Sequence, residues 1–311
     1  MRIACLQFAP QLGKIQQNME RANRLIENSA ELHTASDGRP LWLNLPEMSF
    51  TGYNFQSLEE ITPFLEPTCE GPSTIWAKGT ARRYGIFVTV GYPETVPHLS
   101  PQPLDIEQPP QNYNSTVTVS PSGQIVATYR KRFLYYTDET WALEGDGKTS
   151  PSGFFAGALG PLGNVSMGIC MDINPYKFLS DWSSYEFASH VLQARTPLVV
   201  VNMAWLTRLT PQELTELPLR PDEETFTYWI GRFQPLLEAN VRMGEDVGPI
   251  VVVCANRCGI EGSACYAGTS SVFMVEDGKV SIFDVLGKLE EKCMVIDLNR
   301  PAKFELERRA T

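Results

Sequence analysis

Asn164-Val-Ser-Met-Gly-Ile-Cys-Met-Asp-Ile-Asn174 reads as an apolar strand that runs out at Gly168-Ile-Cys-Met-Asp-Ile-Asn174. It sets one cysteine where a chain leaves its sheet, the position at which nucleophiles are held. Small Gly168 and Ile169 bring the backbone up to Cys170, polar Asp172 and Asn174 follow it, and the Met171 N–H lies beside the thiol. A thiol nucleophile needs a base. The three histidines, His33, His98 and His190, fall in a polar helical stretch, a Pro-rich loop and a second helical stretch. None carries a strand-end pattern, which argues against a Cys–His pair and for a carboxylate, although distant histidines can converge in space. The competing reading of Cys170 is a buried, inert cysteine, the common fate of this residue.

Two further strand ends bear on that choice. Pro40-Leu-Trp-Leu-Asn-Leu-Pro-Glu47 is an apolar run closing on a carboxylate, with a Gly-containing turn through Tyr53 after it. Apolar neighbours raise such a carboxyl toward the pKa of a useful base. Val126-Ala-Thr-Tyr-Arg-Lys131 closes a hairpin turned at Pro121-Ser122-Gly123 and brings cations into apolar and aromatic surroundings. Singly, Glu47 reads as a strand-end cap and Lys131 as a solvated edge charge. Together with Cys170 they supply base, cation and nucleophile at three strand ends.

Outward from these segments, apolar runs alternate with helix-patterned ones. Strands are expected near 2–8, 40–46, 86–92, 197–204, 249–255 and 293–297, hairpins at 115–130, 154–169 and 270–284, and helices at 16–32, 73–84, 183–194 and 225–241. The alternation predicts an α/β protein. Periodicity does not distinguish one doubly wound sheet from two stacked sheets. The five-proline stretch 96–111 reads as an exposed loop, and 207–224 as a short helix in an irregular excursion beyond a strand end, where α/β folds gather ligand-shaping loops.

The chain of 311 residues fits one large α/β domain spanning 1–311. No run reaches the roughly 18 apolar residues of a membrane span, and the first residues read as a strand without a signal peptide's apolar region. Neither a membrane nor export is expected. A net charge of −10 argues against nucleic acid as the main partner and is compatible with a cationic ligand, though solubility accounts for it equally. Seven scattered cysteines form no disulfide framework and suit a reducing, cytoplasmic compartment. Cys254, Cys258 and Cys265 lack paired CxxC spacing, so neither a metal site nor a cofactor is expected.

The order Glu, Lys, Cys in LPEMSFTGY (45–53), YRKRFLY (129–135) and GICMDIN (168–174) resembles the nitrilase superfamily of carbon–nitrogen hydrolases. The resemblance extends over nearly the whole chain. MRIACLQFAPQLGKIQQNMERA is similar to the superfamily's first strand and helix, and CANRCGIEGSACYAGTSSVF to its late Asn-Arg…Glu…Gly…Ser segment. It implies a four-layer α-β-β-α sandwich. YRKRFLYYTDETWALEGDG and GICMDINPYKF look most like the branch that deamidates N-terminal Asn and Gln of proteins in the N-degron pathway, releasing ammonia through a Cys thioester. A small-molecule amidase of the ω-amidase kind, a nitrile hydrolase and a catalytically silent scaffold are the competing readings.

The resemblance also implies roles. Glu47 is the general base, Cys170 the nucleophile, and Lys131 with the Met171 N–H the oxyanion site. Glu139 matches a second glutamate that orients lysine and substrate amide, with Glu144 as the nearby competitor. Relatives acting on N-carbamoyl amino acids read Cys-Tyr-Asp-x-Arg-Phe-Pro, and that arginine suits a free substrate carboxylate. Asn174 stands at its position here, which fits a peptide substrate whose main-chain carboxyl is already an amide. Asp172 is a candidate for the substrate α-ammonium, against a plainer role bracing the turn after Cys170. Peptides with N-terminal Asn or Gln are the expected partners. Superfamily members often pair and insertions often block that surface, so monomer and homodimer both stand.

Overall fold

A computed structural model describes residues 1–33, 38–97, 109–146, 152–244 and 246–307. Two sheets lie at its centre. One runs in the order Lys292–Asp297, Arg2–Gln7, Leu41–Asn44, Phe87–Val96, Gln111–Val119, Ile125–Arg130. Its middle strands are parallel and its flanks antiparallel. The other runs Phe304–Glu307, Lys279–Val285, Ser271–Glu276, Ile250–Asn256, Leu198–Met203, Asn164–Ile169, Phe155–Ala158. Its three parallel strands are Ile250–Asn256, Leu198–Met203 and Asn164–Ile169.

The period-2 alternation of strands divides the core into layers. Ile3 and Cys5 point between the sheets, where they meet Trp42, Val165, Met167, Val200 and Val253. Their neighbours Ala4 and Leu6 point the other way, against Met19, Ala22 and Ile26 of one helix and Ala77 and Ala81 of another. On the second sheet Ile169, Val199, Val201 and Val252 pack under Phe187, Val191, Trp229 and Phe233. Helix, sheet, sheet, helix is therefore the order of layers, as the resemblance implied.

The helix read at 16–32 is two pieces, Ile15–Glu27 and Ala30–His33. That at 225–241 is three, Glu223–Arg232, Gln234–Leu237 and Ala239–Met243, because Phe233 and Glu238 leave helical ψ and Pro235 opens the middle piece. A hairpin of Cys258–Glu261 with Ala264–Ala267 and the edge strand Phe304–Glu307 were not anticipated. Of the Pro-rich stretch, Val96 and Gln111 pair with each other at the ends of their strands, and 98–108 lie outside the described residues. The excursion holds the short helix Pro211–Thr215, opened by a capping box between Thr210 and Glu213. It returns past Pro218 and Arg220, whose carbonyls accept from Leu289 and Lys288.

Candidate active site

Glu47, Lys131 and Cys170 each lie just beyond the C-terminal end of a strand, and Ala204 does so on a fourth. The strands ahead of Glu47, Cys170 and Ala204 belong to the parallel parts of the two sheets, and Ile125–Arg130, ahead of Lys131, runs the same way as Phe87–Val96 through two successive antiparallel pairings. At Glu47 the fit is tight. A Cβ on Gly91 would come within 2.9 Å of Glu47 Cα, so only glycine lets the neighbouring strand pass. Glu47 also ties the two sheets together: its N–H donates to Met203 O at 3.3 Å, and its Oε2 accepts from Ala204 N at 2.8 Å.

The other carboxylate oxygen of Glu47 meets a buried cation. Lys131 Nζ is 2.6 Å from Glu47 Oε1 and 2.6 Å from Asp138 Oδ2, and all three side chains are fully buried. Asn114 bridges the same two carboxylates, with Nδ2 2.6 Å from Glu47 Oε1 and 2.9 Å from Asp138 Oδ1. Asp138 Oδ2 further accepts from the Tyr53 hydroxyl and the Tyr135 N–H, both at 3.0 Å. Tyr53 is steadied from behind, because the buried Glu261, paired with Arg257, accepts from the N–H groups of Tyr53 and Asn54.

One ammonium stands between two carboxylates, and burial together with these neighbouring charges sets the direction in which Glu47 and Lys131 shift. Burial raises the Glu47 carboxyl above its ordinary value, Lys131 opposes the rise and Asp138 adds to it. Burial alone would lower the lysine, yet Asp138 and Glu47 hold it well above the ordinary range and hence charged. Burial and then the charge of Glu47 push the Cys170 thiol up, with Lys131 opposing. The resting sulfur is thus a thiol, and it needs a base to become a nucleophile.

Cys170 opens a short 3-10 turn, Cys170–Ile173, with φ at +42°, a left-handed conformation rarely adopted by a non-glycine residue. Such a kink lifts the side chain out of the strand's plane. Asp172 enforces it: Oδ2 accepts from Ile169 N at 2.7 Å and Tyr129 Oη at 2.8 Å, and Oδ1 from Phe133 N at 2.8 Å and Arg132 N at 3.1 Å. The Ala204 N–H that reaches Glu47 also lies against the sulfur, where it favours the thiolate. Met171, second in the turn, has no acceptor for its N–H within that turn.

The thiol opens onto a cavity of about 380 Å³ walled by Tyr53, Tyr135, Asn174, Phe178, Trp205 and Tyr228, with Asp222, Glu224 and Arg208 farther round. Asn174 Oδ1 accepts from the Tyr228 hydroxyl at 2.7 Å, joining the nucleophile's turn to the helix Glu223–Arg232. Among the described residues no histidine lines this cavity. His190 is bonded to Ser152 and the Phe155 carbonyl, and His98 lies outside the described residues.

Two expectations are corrected. Glu139 does not reach Lys131; its side chain is 40% exposed and 3.4 Å from Lys177 Nζ. In the 3-10 turn Asp138–Thr140 successive side chains diverge by about a third of a turn, so one acidic residue faces inward, and it is Asp138. Glu144 is turned away as well, accepting from the Tyr176 hydroxyl at 2.7 Å. Asp172 cannot serve a substrate ammonium, since it is fully buried with both oxygens occupied by the turn it braces. Met171 and Asn174 do line the cavity. Sequence reasoning missed Asn114, Tyr53 and Ala204. Tyr53 closes the Glu47 motif and could have been found there; Asn114 and Ala204 carry no local signal.

The profile of the carbon-nitrogen hydrolase family matches residues 2–177. A protein N-terminal amidase of Schizosaccharomyces pombe is 32% identical over 96% of this chain and 100% of its own length. One of Saccharomyces cerevisiae is 31% identical over 66% of this chain and 45% of that protein. A crystal structure of an N-terminal amidase with an Asn-Glu-Ala peptide superposes with a TM-score of 0.79 at 21% identity, covering 99% of both chains.

Proposed function

The chain belongs to the carbon-nitrogen hydrolase family, and from that premise we propose that it deamidates N-terminal Asn and Gln of proteins to Asp and Glu, with release of ammonia. The observation that carries the reading is a Cys170 thiol at the floor of an open cavity with the buried Glu47, Lys131 and Asp138 cluster behind it. The relative matched over its full length bears the name of that activity. Asn174 supports a peptide substrate, because a neutral amide bonded to Tyr228 offers a main-chain carbonyl a donor and no charge.

In this reading Glu47 takes the proton of Cys170 as the sulfur attacks the side-chain amide carbon. The oxyanion is met by the Met171 N–H and by Lys131, which uses two of its three N–H donors on carboxylates and keeps the third. Glu47 then delivers its proton to the amide nitrogen, ammonia leaves, and a thioester remains. Water gives a proton to Glu47 and its oxygen attacks the thioester; collapse of the second oxyanion expels sulfur, which recovers the proton. Asp138 and Asn114 hold Lys131 and Glu47 in register throughout. Seven free cysteines support a cytoplasmic setting for this chemistry.

The test is ammonia release from Asn-initiated, Gln-initiated and internal-Asn peptides, beside free glutamine and simple nitriles. Turnover of the first two alone is expected. Turnover confined to free small amides or nitriles would replace the reading with one of a small-molecule hydrolase.

A further inference from the structure

An enzyme confined to chain termini must read the α-ammonium, and the proposed function, on which this inference rests, leaves that group without a partner. Two carboxylates line the cavity, Asp222 and Glu224. Glu224 is 67% exposed and bound by Arg208 at 2.7 Å, so it belongs to the rim. Asp222 is 7% exposed. It caps the helix Glu223–Arg232, with Oδ1 accepting from Thr225 N at 3.1 Å and Oδ2 from the hydroxyls of Thr225 and Thr207. Those three bonds leave one of a carboxylate's roughly four acceptor positions open, on Oδ1. Six residues on in the same helix, and lining the same cavity, stands Tyr228, bonded to Asn174 of the nucleophile's turn. Trp205, also in the cavity wall, lies 5.5 Å from Tyr228, centroid to centroid. A carboxylate and two aromatic rings in the wall of one cavity supply the parts of a cation site, and the thiol opens onto the same cavity.

We propose that Asp222 recognises the substrate's α-ammonium, with Trp205 and Tyr228 forming the walls of that subsite, and so restricts the reaction to the first residue of a chain. The geometry suits both substrates, since Asn and Gln differ by one methylene between the attacked carbon and the ammonium, a difference an open cavity can absorb.

The experiment compares an Asn-initiated peptide with its succinamoyl counterpart, identical but without the α-amino group. Below the α-amino pKa of about 7.7–8.0 the wild type should favour the ammonium peptide by about 10- to 100-fold in kcat/KM, the range of a hydrogen bond to a charged group. The ratio should shrink as pH passes that pKa, whereas titration of the catalytic groups cancels from it. Asp222→Asn preserves the cap, because Asn serves nearly as well as Asp at this position. It should abolish the preference while leaving succinamoyl turnover near the wild-type rate. A purely structural Asp222 would lower both substrates together and keep the ratio, which overturns the proposal. A wild-type ratio near one overturns it even if the variant fails to fold. Should neither peptide react, it is the deamidase reading that fails.

Discussion

Asn114 places Nδ2 2.6 Å from Glu47 Oε1, so the base is oriented by a residue from the middle of the opposite flank of its sheet. That bond stabilises the ionised form of Glu47, and its removal should raise the carboxyl further. Asn114→Ala should lower kcat/KM by about 10- to 100-fold, the magnitude of one hydrogen bond to a charged group. It should also displace the acid limb of the pH profile toward higher pH. An unchanged limb would remove Asn114 from any influence on the base.

The pH profile of the wild type follows from the same cluster. A base whose carboxyl is raised by burial is lost at higher pH than an ordinary one, so activity should fall on acidification through a pKa above 4.5. The thiol pushed up by burial predicts slow alkylation of Cys170 at neutral pH, accelerating on the alkaline side. Rapid, pH-independent labelling by iodoacetamide would show a standing thiolate.

Glu47→Gln should cost about 10²–10⁴ in kcat if Glu47 is the general base. A loss below tenfold would take that role away.

Lys131 separates catalysis from stability. Lys131→Met leaves Glu47 and Asp138 buried without their cation, and breaking a buried pair in this way costs about 3–5 kcal/mol. Adding Asp138→Asn removes one of the stranded charges. Denaturant midpoints should therefore fall in the single variant and recover partly in the double one, while neither regains activity.

Asp138 and Glu139 are adjacent in sequence and opposite in setting. Asp138→Asn should lower kcat/KM by at least tenfold, in the range of a lost bond to a charged group, whereas Glu139→Gln, altering an exposed ion pair, should stay within about twofold. Equal effects would reverse the assignment.

Which parts of this architecture could be read beforehand depended on regularity. Ile3 and Ala4 fall on opposite faces because a strand alternates, and Glu47, Lys131 and Cys170 were visible because each closes an apolar run. Asn114 was not, since inside a strand of polar and apolar residues nothing marks the one that will face a carboxylate 67 positions earlier. Glu139 came from the family resemblance, with Glu144 as its competitor, and a tight turn has no period long enough to show that the neighbouring Asp138 is the residue that points in. The helix expected over 225–241 broke where Phe233 and Glu238 depart from helical geometry, a local choice dominated by packing around Trp229 and Phe233.

The left-handed kink at Cys170 is gripped on its inner side by Asp172, while one side of the cavity wall comes from a separate segment between Trp205 and Tyr228. Reactivity and selectivity are consequently modular. Exchanging that segment among relatives should redirect which amide is cleaved and leave the hydrolytic engine running, a practical handle for redesigning what this scaffold accepts.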